Sequence, residues 1–174
     1  MADTILILGG GRMQLPAVHI ARSLGWRVLL ADGNARCLAR PLADRFYHID
    51  LLDREGLAAM ALEHRRHGRL QGVFTAGTDF SGAVAHVAGR CALPGLSTAV
   101  AQAASDKLLM RSTLARAGVP QPAFAGLEAG DDPMPAARRL GFPLVVKPVD
   151  NMGARGVRFV DGPEGLTTAV EAAR

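Results

Sequence analysis

Lysine is nearly missing from this chain: of twenty basic residues eighteen are arginine, and Lys107 and Lys147 are the exceptions. Aromatic residues are scarce too, at 5% of 174 residues. With a formal charge of +4 and few aromatics among the arginines, Arg65-Arg66 and Arg138-Arg139 read as solvated helix faces, and no nucleic-acid partner is expected. The two cysteines, Cys37 and Cys91, show neither a zinc spacing nor a disulfide framework and read as reduced, structural cysteines in cytosol. No apolar run reaches the roughly eighteen residues of a membrane span, and the N-terminus enters a strand without a signal-peptide pattern. A soluble cytoplasmic protein with no membrane partner is the expectation. Nothing marks a nucleophilic triad. His64 and His67, a helical turn apart on a polar face, lack a third ligand and read as a solvated pair; His19, His48 and His86 stand alone, so no metal site is assigned.

What is present suffices for a core, since 49% of the residues are hydrophobic. The first hundred residues alternate strand and helix. Thr4 to Leu8 is predicted as a strand, Gly9-Gly10-Gly11 as a tight turn, and Leu15 to Leu24 as a helix with Pro16 in its first turn, ended by Gly25. Strands follow at Arg27 to Ala31, Phe46 to Ile49 and Gly72 to Thr75, with helices from Asp53 to Arg66 and from Thr78-Asp79 to about Arg90. The fold class is therefore α/β, with a small doubly wound parallel sheet over residues 1–102. Residues 103–174 follow as a linker helix and a partial α+β subdomain.

The glycine turn admits two readings. Gly9, Gly10 and Gly11, with Asp32 closing the next strand, resemble a dinucleotide-binding fingerprint of an NAD-dependent oxidoreductase. Its third glycine, however, falls on Gln14. The other reading is a plain strand-to-helix turn beside a substrate, where Arg12 meets a carboxylate. Thr78 and Asp79 follow the C-terminal end of a parallel strand, where open α/β sheets bind ligands; Asp79 either caps the next helix or faces that crevice.

Phe142 to Val157 is the densest functional stretch. Leu144-Val145-Val146 reads as a short strand that delivers Lys147, and Pro148 biases Lys147 toward extended backbone. Gly153, Ala154, Arg155 and Gly156 then form a glycine-containing tip before a second strand from Val157 to Val160. A lysine facing a loop rich in N–H groups makes a clamp for a polyphosphate, while the plain alternative is a β-hairpin with a solvated lysine. Lys107 lies in the first turn of a helix that Ser105 is predicted to cap and that Gly118 and Pro120 end. A cation there is unfavourable by roughly 0.3–1 kcal/mol unless an anion, a phosphate or Asp106, compensates it.

The run Asp106-Lys107, Gly118-Val119-Pro120, Gly141-Phe142-Pro143, Val146-Lys147-Pro148 and Gly153 to Val157 resembles the start of an ATP-grasp domain. The preceding hundred residues resemble the pre-ATP-grasp domain of biotin carboxylase, the large chain of carbamoyl-phosphate synthetase and related carboxylate–amine ligases. The resemblance implies that Lys107 and Lys147 contact the phosphates of ATP and that residues 153–156 close over them. Gly10, Gly11, Arg12, Thr78 and Asp79 become candidates for the small-molecule carboxylate substrate. In that family the residues holding Mg²⁺ come later than the hairpin, so no metal ligand and no catalytic residue is assigned here. The 174 residues are expected to be inert alone. The family's pairing through its N-terminal domain is compatible with a homodimer. A non-catalytic ligand- or partner-binding module with a vestigial hairpin stays open as the alternative.

Overall fold

The computed structural model describes residues 2–174. The chain divides into two compact units, the first ending at Gln102 and the second spanning Ala103–Arg174.

The first unit is a sheet of four parallel strands: β1 (Thr4–Leu8), β2 (Arg27–Asp32), β3 (Arg45–His48) and β4 (Leu70–Phe74), in the order β3-β2-β1-β4. Helices α1 (Leu15–Ser23), α2 (Arg54–His67) and α3 (Ser81–Arg90) cover its two faces. Period-two alternation sorts the side chains. Leu6, Leu8, Leu29 and Ala31 pack with Leu57, Ala61 and Val87 of α2 and α3. Ile7, Val28 and Leu30 pack with Val18 and Ala21 of α1 on the other face. Leu6, Ile7 and Leu8 are each 0% exposed. Burying a side chain of this kind stabilises by roughly 1.5–3 kcal/mol, so β1 anchors both layers. The sheet is the α/β doubly wound arrangement expected from the alternating strands and helices.

Two boundaries shift for reasons of packing. Strand β4 starts at Leu70, two residues before the expected start, because fully buried Leu70 pairs with Thr4; it ends at Phe74. Helix α3 starts at Ser81, later than Thr78-Asp79, because Thr75 and Thr78 are spent on a turn. Thr75 Oγ1 donates to the Leu8 carbonyl at 2.8 Å and lies 2.9 Å from Thr78 Oγ1. Asp79 is not the cap: Phe80 occupies the N-cap position and its N–H donates to Thr78 Oγ1 at 3.3 Å. His64 also departs from expectation. It is half-buried and in contact with the Tyr47 hydroxyl through Nε2, whereas His67 is exposed.

The second unit contains α5 (Lys107–Arg116), α6 (Met134–Leu140), the antiparallel pair β5 (Leu144–Val146) and β6 (Arg158–Val160), and α7 (Leu166–Ala173). A further helix, α4 (Thr98–Ser105), leads into it. Ser105 ends α4 and does not cap α5. Asp106 is the cap, its Oδ1 accepting from the Leu109 N–H at 2.8 Å. A carboxylate satisfies that orphan N–H and also complements the positive helix end, which a hydroxyl does not. The core of this unit is Val160, Leu166, Ala169 and Val170 with Ala137, against which Leu144 and Val146 pack.

Candidate functional site

Strand register sets the geometry in the second unit. Leu144 pairs with Val160, Val145 with Phe159, and Val146 with Arg158. Leu144, Val146 and Val160 belong to the α6–α7 core, so Val145 and Phe159 point the opposite way, 55% and 69% exposed. Lys147 continues the same alternation and falls on that open face. It is exposed and makes no hydrogen bond or ion pair among the described residues. A cavity of about 680 Å³ is lined by Lys107, Leu108, Arg111, Val145, Lys147 and Phe159, among others, and no Asp or Glu is among its lining residues. An apolar floor with cationic side chains suits a ligand that is flat at one end and anionic at the other.

The structure thus brings Lys107 and Lys147 to one cavity, but in different states. The Lys107 ammonium donates to the carbonyls of Val149 and Asn151 at 3.3 and 2.6 Å. Its backbone N–H also donates to Val149 at 2.9 Å. Gly153, Ala154, Arg155 and Gly156 form the loop between the strands and are not among the cavity-lining residues. Their backbone is as tight as expected: φ is +66° at Gly153, +58° at Ala154 and +73° at Gly156. Two loop amides turn inward, Arg155 N–H to Met152 and Val157 N–H to Ala154. Arg155 Nε also donates to the Met152 carbonyl, at 3.1 Å.

Arg111 is a cavity residue that sequence reasoning missed. It sits one turn after Lys107, and Gln121 locks its position by donating to the Arg111 carbonyl at 2.7 Å and accepting from its guanidinium at 3.3 Å. The i, i+4 spacing from Lys107 was the available signal.

In the first unit, a depression of about 330 Å³ is lined by Gly9, Gly11, Gln14, Asp32, Asp50 and Thr78, with neighbouring residues. Of the predicted substrate residues, Gly11 and Thr78 line it, while Gly10, Arg12 and Asp79 do not. Gly10 is instead buried, its N–H donating to Asp32 Oδ2 at 2.6 Å. Asp32 Oδ1 accepts from Asn34 N–H at 2.6 Å, so both oxygens already serve the turn. Gln14, which fails the fingerprint, is 2% exposed and donates to the Ala76 carbonyl at 2.5 Å, tying the glycine turn to the end of β4. Cys37 lies under the same turn, where burial first and Asp32 second push its thiol above the usual range.

Among the described residues no group of three or more His, Cys, Asp or Glu is placed to hold a metal ion. No helix among them is long and apolar enough to cross a membrane.

The first unit is a doubly wound domain, and the second carries a β-hairpin and a cationic cavity. Residues 106–174 match the carbamoyl-phosphate synthase L chain, ATP binding domain. The chain is 27% identical over 176 residues to a formate-dependent phosphoribosylglycinamide formyltransferase of Rhodococcus jostii (strain RHA1), covering 98% of this chain and 42% of that protein. Its fold matches N5-carboxyaminoimidazole synthetase from Staphylococcus aureus complexed with ADP, at TM-score 0.80 and 20% identity over 99% of this chain and 46% of the other. It also matches the biotin carboxylase domain dimer of Hydrogenobacter thermophilus 2-oxoglutarate carboxylase, in complex with MgADP, at TM-score 0.75 and 21% identity over 99% and 40% of the two chains. The likeness to that ATP-binding domain is carried by residues 106–174, and the two solved structures share the fold of the chain as a whole. The chain spans less than half the length of the relatives it matches.

Proposed function

We propose that this chain is the N-terminal portion of an ATP-dependent carboxylate–amine ligase, and that its second unit contributes to the binding of the ATP phosphates. The reaction so read has a carboxylate oxygen attack the γ-phosphorus with ADP leaving; an amine then attacks the acylphosphate carbon, phosphate leaves and the nitrogen loses a proton. The observation that carries the reading is Lys147, an exposed ammonium on the open face of β5 with no partner among the described residues, in a cavity with no Asp or Glu among its lining residues. A compact point charge on a flexible stem serves phosphate oxygens, and phosphoryl transfer depends chiefly on such positioning and charge stabilisation. The chain's relatives, named above as a formyltransferase, a synthetase and a carboxylase, support the class of chemistry. ADP and magnesium in the related structures support ATP with Mg²⁺ as the bound species. Among the described residues no cluster of acidic, histidine or cysteine side chains is placed for the metal, and no step is assigned to it.

In this reading residues 153–156 serve as the lid, and the first-unit depression takes the acceptor substrate near Gly11 and Thr78. Asp32 and Asp50 line that depression and no basic residue does, which suits an amine-bearing end more than a carboxylate. Pairing of two copies through the first unit is part of the same proposal, one of the related structures being a dimer.

The test is a titration of the isotope-labelled chain with ATP, followed by amide chemical shifts, which register millimolar binding. Shifts at residues 107, 147 and 153–156 that weaken at least tenfold in Lys147→Ala support the reading. Shifts confined to Gly9–Arg12 and Asp32 on addition of NADH, with none from ATP, overturn it in favour of an oxidoreductase. No response to either moves the chain to a non-catalytic binding module.

A further inference from the structure

Helix α5 begins on top of the loop that follows β5. The first N–H groups of a helix have no intrahelical partner, and here the Lys107 N–H finds one in the Val149 carbonyl at 2.9 Å. The same carbonyl accepts from Lys107 Nζ at 3.3 Å, and Asn151, two residues on, offers a second carbonyl at 2.6 Å. An ammonium beside a positive helix end is repelled by it; two carbonyl oxygens supply the opposing negative charge. The other leg of the loop is held differently. Gly156 packs so closely on Pro148 that a Cβ there would lie 2.7 Å from Pro148 Cγ, and Val157 N–H is bonded to Ala154. Between the two legs lie Gly153 and Ala154 at positive φ, a conformation that a non-glycine residue holds only when its surroundings enforce it.

We propose that Lys107 is a positioning residue, a latch whose ammonium holds the first leg of the 149–157 loop onto the N-terminus of α5 before any nucleotide arrives. Two of its three N–H donors are spent on Val149 and Asn151, which leaves one for an anion. The latch rests on these contacts; its use in presenting the lid to a phosphate rests on the ligase reading above. Lys107 and Lys147 therefore differ in task, one holding the loop and the other holding no partner of its own.

The experiment is amide hydrogen exchange on the full chain without nucleotide, comparing wild type, Lys107→Met and Lys107→Arg. Exchange over residues 149–155 should quicken about tenfold in Lys107→Met, with β1 and β2 unchanged, and Lys107→Arg should restore most of the protection because its guanidinium also donates to carbonyls. Unchanged loop exchange in Lys107→Met overturns the latch. Should that variant fail to fold, the wild type still decides: a scalar coupling across the hydrogen bond between Lys107 Nζ and the Asn151 carbonyl carbon is expected, and its absence overturns the proposal. ATP affinity measured alongside separates the two readings. A looser loop with unchanged ATP affinity keeps the latch and removes Lys107 from phosphate binding; lost affinity with an unchanged loop does the reverse and overturns the latch.

Discussion

Gly10 donates its N–H to Asp32 Oδ2 at 2.6 Å, closing the glycine turn after β1 onto the end of β2. The acid that resembles a ribose ligand is in this chain a fastener of the turn. Removing it leaves the part-buried Gly10 amide, and the exposed Asn34 amide, without their acceptor, a loss of about 1–3 kcal/mol carried chiefly by Gly10. Asp32→Ala should therefore lower the urea midpoint of the chain with little change in slope, and addition of NADH should recover none of the loss.

Gly10 itself has no room to grow. A Cβ there would sit 2.4 Å from Cys37 Sγ, and Cys37 is itself buried at 8% exposure. Gly10→Ala should destabilise by about 1–3 kcal/mol through overpacking. Adding Cys37→Ala should recover part of it in thermal melts, because the sulfur is the nearer of the two clashing atoms.

The two faces of the β5–β6 pair should respond oppositely to truncation. Phe159 is 69% exposed, so Phe159→Ala should change stability by no more than about 0.5 kcal/mol. Val160, on the opposite face of β6, is 3% exposed in the α6–α7 core, and Val160→Ala should cost about 1.5–3 kcal/mol. Equal effects in denaturant melts would contradict the strand register.

Lys147→Ala should leave the melting temperature within about one degree of wild type, since surface changes away from partners are nearly neutral. On the ligase reading proposed above, the same change in the full-length protein should lower ATP-dependent turnover at least tenfold. Undiminished turnover would remove Lys147 from the phosphate site.

His64 gives a pH signature. Burial, then the nearby Arg45 charge, holds its pKa below the ordinary 6.5; Glu63 opposes them, while Arg27 and His67 add to the lowering. The unfolded chain then binds the proton more readily than the folded one. The stabilisation linked to the neutral ring is present above about pH 6.5 and is lost as pH falls through the lower folded value. Urea midpoints measured from about pH 7.5 to 5 should fall more steeply in wild type than in His64→Gln. Parallel curves would show that His64 is not the titrating group.

Much of this was legible in the residues. The continuous apolar runs Ile5 to Leu8 and Val28 to Ala31 specify strands buried on both faces, and such strands demand helices on both sides. Lys147 was visible because a lysine between a β-branched run and a proline can only stand at a strand end. Lys107 stood out as the other lysine in an arginine-rich chain, but nothing in its neighbourhood announced Val149 and Asn151, which lie more than forty residues away. The cap of α5 was misplaced by one residue because Ser105 and Asp106 both suit an N-cap; the choice fell to whichever could reach the Leu109 N–H once α4 had claimed Ser105.

Sequence alone determined the strand and helix periods, the lysines and the glycine positions, because these depend on local spacing and backbone freedom. Tertiary structure decided which polar groups remain available. It consumed Asp32 and Gln14 in fastening a turn and Lys107 in holding a loop, and it left Lys147 unpartnered. Availability depends on partners brought close by folding, and the same side chain in the same local sequence is a fastener or a ligand according to what the fold sets within about 3 Å of it.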